Sequence, residues 1–294
     1  MSQCPLRFAI FGNEYKLKKS VSLQKILYCL AQRKATVVID RTFYASLQDH
    51  VEDLSIVSGV FDGDDFEADY VISMGGDGTF LKAANRVGSK GTPIIGVNMG
   101  RLGFLADVLP GEISEAIDEV FAGQMKIEEH SVIQVEADGR PLGVSPYALN
   151  DIAVLKKDDA SMISIRTSID GEYLITYQAD GLIVSTPTGS TAYSLSNGGP
   201  IMVPSAKIVC ITPVAPHSLN IRPIVINDSN RIELDVESRS HNFLVAIDGR
   251  SETLAEGTRL TISRAPYNVK IAKRKSQRYA STLREKLMWG ADQR

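Results

Sequence analysis

The chain has 294 residues, 44% apolar and 23% charged, with a net charge of −3. That length suggests about two domains with real cores, and the composition is that of an ordinary globular protein. The slightly acidic balance argues against a general partnership with nucleic acid or an anionic membrane.

Cys4, Cys29 and Cys210 show neither CxxC nor Cys/His spacing, so neither a disulfide framework nor a zinc site is expected and a reducing cytoplasm fits. The N-terminus is too short and polar for a signal peptide, and no apolar run approaches transmembrane length.

In chain order, residues 7–11 read as a strand ending at Gly12, and Leu23, Ile26, Leu27 and Leu30 share one face of a helix over 17–33. A β-branched strand at 36–39 precedes a weaker helix around 45–51. The acidic loop 62–65 lacks the alternating ligands and closing Glu of a calcium site and reads as solvated. Residues 70–74 form an apolar strand, and Gly75-Gly76-Asp77-Gly78-Thr79 follows. Phe80, Ala84 and Val87 then recur at helical spacing, and 93–97 is another apolar strand. Strands that are apolar on both faces and alternate with helices indicate a parallel sheet covered on both sides.

Pro110-Gly111 opens a helix striped by Ile113, Ala116, Ile117, Val120 and Phe121 and stopped by Gly123. Short strands follow at 132–137, 152–155, 162–169, 173–177, 182–185, 208–212, 231–236, 244–247, 259–262 and 269–272. Asp138-Gly139, Asp170-Gly171 and Asp248-Gly249 are hairpin turn signals. One helical interruption falls at 192–196, and a tail helix over 279–289 turns Leu283 and Leu287 inward. The expected fold is an α/β domain with a parallel sheet over 1–105, a β-sandwich of two packed sheets over 106–275, and a tail over 276–294.

G-x-x-x-x-G-K-[ST], G-x-G-x-x-G, H-E-x-x-H and G-x-S-x-G are all absent. His50, His130, His217 and His241 sit apart without metal spacing and read as structural or surface residues; only His217 lies in a loop of interest.

Four segments carry chemistry. In Gly75–Thr79, a strand runs through a glycine turn into a helix, which aims backbone amides and a helix dipole at one point and suits a phosphate. A carboxylate in such a cradle repels anions, so Asp77 reads as a base or as a ligand to a metal riding on the phosphates. Gly96–Leu105 follows a strand end, where open parallel sheets place ligands, but it reads equally as a glycine-rich hinge. Its Arg101 has a phosphate or a surface carboxylate as alternative partners. Asn150-Asp151 is a turn pair or a polar binding pair. Asp180–Pro200 is a strand feeding a loop of hydroxyls and glycines suited to amide, ribose and adenine edges, with Tyr193 able to stack or donate. The cluster Lys270, Lys273, Arg274, Lys275 and Arg278 reads as a solvated face, with attraction to a triphosphate as the second reading.

Taken together, the Gly-Gly-Asp-Gly-Thr loop, the 98–105 segment, Asn150-Asp151 and the 186–199 loop resemble the bacterial NAD kinases. The resemblance implies an α/β domain and a β-sandwich whose chain end returns to the first domain, assembled as a homo-oligomer, dimer or tetramer. It implies γ-phosphoryl transfer from ATP to the 2′-hydroxyl of the adenosine ribose of NAD, with a divalent cation such as Mg2+. Asp77 would be the general base, and Gly76, Gly78, Thr79 and Lys82 would lie near the same substrate. Asn150 and Asp151 would hold adenine and ribose; the family usually has Asn-Glu there. Asp180 would accept from the nicotinamide carboxamide, with Thr191, Ala192, Tyr193, Ser194, Leu195 and Ser196 around the dinucleotide. Arg250 stands where glutamine is common, and Ser161 and Gln178 match variable contact positions. Diacylglycerol and sphingosine kinases share the glycine loop, so a lipid kinase is one alternative, and a non-catalytic NAD(P) sensor is another.

Overall fold

The computed structural model describes residues 5–12, 20–48, 51, 54–100, 103–140, 142–157 and 161–289. The chain divides into two compact units, residues 1–128 with 270–294, and residues 129–269.

In the first unit the chain runs β1 (Arg7–Gly12), α1 (Ser20–Gln32), β2 (Thr36–Asp40), α2 (Arg41–Leu47), β3 (Val57–Phe61), β4 (Tyr70–Gly75), α3 (Asp77–Val87), β5 (Ile94–Asn98) and α4 (Ile113–Phe121). These strands pair in parallel in the order β5-β4-β1-β2-β3. Between β4 and β1 the winding direction reverses, so the carboxyl ends there border the crevice where open α/β sheets bind ligands. Phe8, Ile10, Ile39 and Ile72 meet Leu23, Ile26 and Leu30 of α1 and the α4 stripe in one apolar core.

Helix α2 starts earlier than its apolar periodicity suggests. Asp40 is its N-cap and accepts from the Phe43 amide at 3.2 Å, so capping rather than the apolar pattern sets the first turn. His50, Cys4, the start of the 17–33 helix and Arg101 lie outside the described residues. Asp62 and Asp64 of the acidic loop pair with Arg41 (3.1 Å) and Arg86 (2.6 Å).

The second unit is antiparallel. Strands β6 (Lys126–Ala137), β7 (Tyr147–Ala148), β8 (Asp151–Lys156), β9 (Ile163–Ile169), β10 (Glu172–Ala179) and β11 (Gly181–Ser185) precede the short α5 (Tyr193–Ser196). After it come β12 (Ile208–Val214), β13 (Ile224–Asn227), β14 (Ile232–Glu237), β15 (Asn242–Ile247), β16 (Arg250–Ala255) and β17 (Arg259–Lys273). One sheet has the order β13-β12-β11-β8-β15-β16; the other is built on β10-β9-β14-β17. Val154, Leu182, Val184 and Phe243 from the first and Ile165, Leu234 and Ile262 from the second share a core.

All three Asp-Gly hairpin signals have positive φ at both residues: Asp138 and Gly139 at 47° and 67°, Asp170 and Gly171 at 51° and 81°, Asp248 and Gly249 at 48° and 80°. This is the turn whose twist matches that of its flanking strands.

The end of β17 returns to the first unit, where Ile271 pairs in parallel with Ile94, and α6 (Tyr279–Leu287) follows with Leu283 buried and Leu287 half-buried. The basic cluster on this stretch is not wholly solvated. The Lys273 ammonium meets the buried Asp107 carboxylate at 2.6 Å, and the Arg274 guanidinium is shared by Glu112, Glu115 and Glu119. Long basic side chains here fill buried ion-pair sites, which spacing alone does not reveal.

Candidate functional site

In the first unit the site is built around Asp77. Gly76 is the N-cap of α3 and has no side chain to cap with, and Asp77 does not turn back onto its own helix. Its carboxylate reaches the loop after β5 instead, accepting from the backbone amides of Phe104 (2.9 Å), Leu105 (3.1 Å) and Ala106 (3.1 Å). Three donors fix the carboxylate in one orientation and leave it acceptor capacity for one more partner.

Glycines make this approach possible. A Cβ on Gly103 would stand 1.9 Å from Asp77 Oδ1, and one on Gly75 would stand 2.2 Å from Thr79 Oγ1. Residues 103–106 are therefore an orienting frame for Asp77. Thr79 is buried beneath the turn, Gly78 is exposed at the first turn of α3, and Lys82 is exposed one turn on. The first-turn amides of a helix lack the usual intrahelical acceptor and can turn to an anion, although that of Thr79 here donates to Gly76 O at 3.0 Å.

In the second unit a carboxylate plays the matching part. Asp248, on its hairpin turn, accepts from the amides of Leu149 (2.8 Å), Asn150 (2.8 Å) and Asp151 (3.1 Å). Asn150-Asp151 is thus held as a shaped segment rather than left as a loose turn. The 186–191 loop packs on it: Thr186 donates its hydroxyl to Leu149 O (2.5 Å) and its amide to Asn150 O (2.9 Å), and a Cβ on Gly189 would sit 2.1 Å from Asn150 O. Arg250 is absorbed into the same frame, donating to Tyr147 O (2.6 Å) and Ile247 O (3.1 Å).

The hydroxyl-rich loop divides into an inner and an outer set. Thr186, Thr188, Ser190 and Ser194 are buried and bonded within the protein, Thr188 to His130 (2.8 Å) and Ser194 to Thr212 (2.9 Å). Thr191, Ala192 and Leu195 are half-buried, and Tyr193 and Ser196 are exposed, so these face outward for a ligand. Asp180 is half-buried and takes an ion pair from Lys156 at 2.9 Å, a partner that the sequence did not suggest. Ser161 and Gln178 line a different cleft, of about 590 Å³, together with Ser164, Glu237, Arg239 and Glu256. His217 is exposed, its amide donating to Gln178 O.

Burial, reinforced by the neighbouring Asp248 charge, pushes the Asp151 carboxyl up to about 7. Asp248 is raised too, first by burial, against the lowering effect of its three amide donors and Arg250. Below its ordinary value near 3.8 the Asp151 group is protonated whether folded or not. Between that value and about 7 only the folded state keeps the proton, so stability falls as pH rises through this window. Asp151→Asn is therefore expected to stabilise the protein, by nothing near pH 4 and by as much as ~4 kcal/mol above pH 7. Urea unfolding of both proteins at pH 5 and pH 8 measures this, and a gain that shrank towards pH 8 would refute the assignment.

Among the described residues, no three His, Cys, Asp or Glu side chains are grouped to hold a metal ion, and no helix is long and apolar enough to cross a membrane. Gly103, the 104–106 amides, Asp248 as an amide acceptor, and Lys156 were not singled out by the sequence.

Comparison with known proteins bears on both units. Residues 8–125 match the family model of the ATP-NAD kinase N-terminal domain, and residues 149–274 that of the ATP-NAD kinase C-terminal domain. The NAD kinase of Bacteroides fragilis is 58% identical over 289 residues, covering 98% of this chain and 100% of the relative. That of Porphyromonas gingivalis is 43% identical over 286 residues, covering 97% and 98%. A yeast NADH kinase solved with NADH shares the fold with a TM-score of 0.88 at 21% identity, over 100% of this chain and 90% of that one. An Archaeoglobus fulgidus NAD kinase solved with ATP gives 0.74 at 24%, over 97% and 98%. The C-terminal match spans the hydroxyl-rich loop. With both domain models matched and relatives aligned end to end, the chain belongs to the ATP-NAD kinase family.

Proposed function

We propose that the chain transfers the γ-phosphoryl group of ATP to the 2′-hydroxyl of the adenosine ribose of NAD, giving NADP and ADP, with Asp77 as the general base. The observation that carries this reading is the Asp77 carboxylate, fixed by the amides of Phe104, Leu105 and Ala106 at the head of α3 with acceptor capacity to spare. A ribose hydroxyl is a poor nucleophile at neutral pH, and a positioned base contributes roughly 10²–10⁴-fold. Phosphoryl transfer otherwise depends on positioning and charge neutralisation.

Gly76, Gly78, Thr79 and Lys82 serve the phosphate side of this reaction. Asn150 and Asp151 hold the adenosine, and Thr191, Ala192, Tyr193, Ser194, Leu195 and Ser196 shape the dinucleotide site. Asp180 accepts from the nicotinamide carboxamide, while Arg250 supports the site by bonding the Tyr147 carbonyl. Ser161 and Gln178 are peripheral contacts on their own cleft. With no cluster of three metal-binding side chains among the described residues, a divalent cation fits best as part of the substrate, carried by triphosphate oxygens and water, as Mg2+ prefers. The enzyme works in the cytoplasm as a homo-oligomer.

A coupled assay for ADP release with NAD as acceptor tests the reading. Turnover is expected with NAD, and weaker turnover with its nicotinic-acid analogue, whose carboxylate repels Asp180. Equal rates with the two dinucleotides would remove Asp180 from this role. No ADP release with either would remove the kinase activity itself.

A further inference from the structure

The chemistry at Asp77 places an incoming phosphoryl group, bearing several negative charges, beside a carboxylate. A cation near that point is needed, and among the described residues the glycine turn itself offers Lys82, already placed on the phosphate side. Lys273 is already committed: its ammonium donates to Asp107 Oδ2 (2.6 Å) and to Phe104 O (3.3 Å). Lys82 is exposed on α3.

The tail helix supplies another. Lys286, on α6, holds its ammonium 4.8 Å from the centre of the Phe104 ring, and Phe104 is the residue whose amide donates to Asp77 Oδ2 at 2.9 Å. The side chain is half-buried, and among the described residues its ammonium is in no ion pair. Burial, first, weakens the ammonium's hold on its proton; the charges of Asp77 and Asp107 oppose this and Lys273 adds to it. The group thus lies in the fields of the proposed base and of the buried Lys273–Asp107 pair without being hydrogen-bonded to either carboxylate.

We propose that Lys286 is a substrate-contacting cation that binds the terminal phosphate of the nucleoside triphosphate while that phosphate passes to the acceptor hydroxyl at Asp77. The proposal rests on the kinase reading and deepens it. In the step itself, the ribose O–H gives its proton to the Asp77 carboxylate and the oxygen forms a bond to the γ-phosphorus. The bond from that phosphorus to the β,γ-bridging oxygen breaks, and ADP leaves with the electron pair. Lys286 takes no proton and makes no covalent bond; it offsets charge on the transferring oxygens. A half-buried cation over an aromatic face, in no ion pair among the described residues, is preorganised for this and needs no rearrangement of protein charge during the reaction.

The test uses the full chain. Lys286→Met keeps the apolar stem over Phe104 and removes the charge; Lys286→Arg keeps the charge. In the ADP-release assay, Lys286→Met is expected to lower kcat by about 10- to 100-fold and to raise KM for ATP, with KM for NAD essentially unchanged. Lys286→Arg should recover most of kcat, and the thermal midpoint of both variants should match the parent. A methionine variant with parental kcat and ATP KM would overturn the proposal. So would a loss of activity that arginine does not rescue and that tracks a lowered thermal midpoint, which would make Lys286 a packing residue only. A parent protein that releases no ADP would bring down the kinase reading first, and this proposal with it.

Discussion

Replacing Asp77 with asparagine is expected to lower kcat by at least about 100-fold while leaving NAD binding nearly intact. Asparagine has nearly the same shape but cannot take the hydroxyl proton. Its amide group would also place N–H donors against the amides of Phe104, Leu105 or Ala106, which now donate to the carboxylate. The groups proposed to bind the dinucleotide belong to the 129–269 unit and are untouched, so affinity should persist while turnover falls. Gly103→Ala is a companion that leaves the carboxyl chemistry in place. Its new Cβ would stand 1.9 Å from Asp77 Oδ1, so the carboxylate must move, and a displaced base loses rate without losing basicity. Steady-state ADP release and NAD titration of both variants separate these effects. An Asp77→Asn enzyme with near-normal turnover would show that the proton goes elsewhere.

The interior of the fold was legible because burial writes itself into composition. Strands β1, β4, β5 and β11 are buried along most or all of their length and read as continuous apolar runs. The strands that were missed, β3, β7, β13 and β16, each pair with a single neighbour. Ser58 and Gly59 interrupt β3 and no residue of β16 is buried, while β13, although Ile224, Val225 and Ile226 are apolar, is only four residues long. Edge strands are held by one neighbour's backbone, which leaves little mark on side-chain type.

The same division runs through the site. Asp77 stood out because a carboxylate among glycines is chemically odd, and Asp180 because its strand feeds a hydroxyl-rich loop. What holds these groups could not be read, because the donors to Asp77 are backbone amides, which every residue type but proline offers. Gly103 was visible as a glycine but not as the one that an aspartate presses against. The buried Arg274, shared by three glutamates, was misread as surface because spacing along a chain does not report what packs over it.

Asp248→Ala is the other substitution with a large expected effect, and it acts on stability and on substrate binding together. The Asp248 carboxylate is the acceptor for three successive amides, those of Leu149, Asn150 and Asp151. Each buried donor left without an acceptor costs roughly 1–3 kcal/mol. Alanine would also have to adopt the positive φ of 48°, which aspartate tolerates better. Against this, removing the Asp248 charge relieves Asp151, whose carboxyl that charge helps to raise. The balance is an expected loss of about 3–5 kcal/mol, read by urea unfolding at pH 7. Asp248→Asn keeps one acceptor oxygen and a residue at ease in the turn, so it should lose less. Because Asn150 and Asp151 owe their backbone course to this anchor, KM for NAD should rise by at least about 10-fold in the alanine variant, with kcat less affected. An alanine variant as stable as the parent would mean that water replaces the carboxylate without cost. The Asn150-Asp151 segment would then be held by the 186–191 loop alone, through the Thr186 bonds to Leu149 and Asn150.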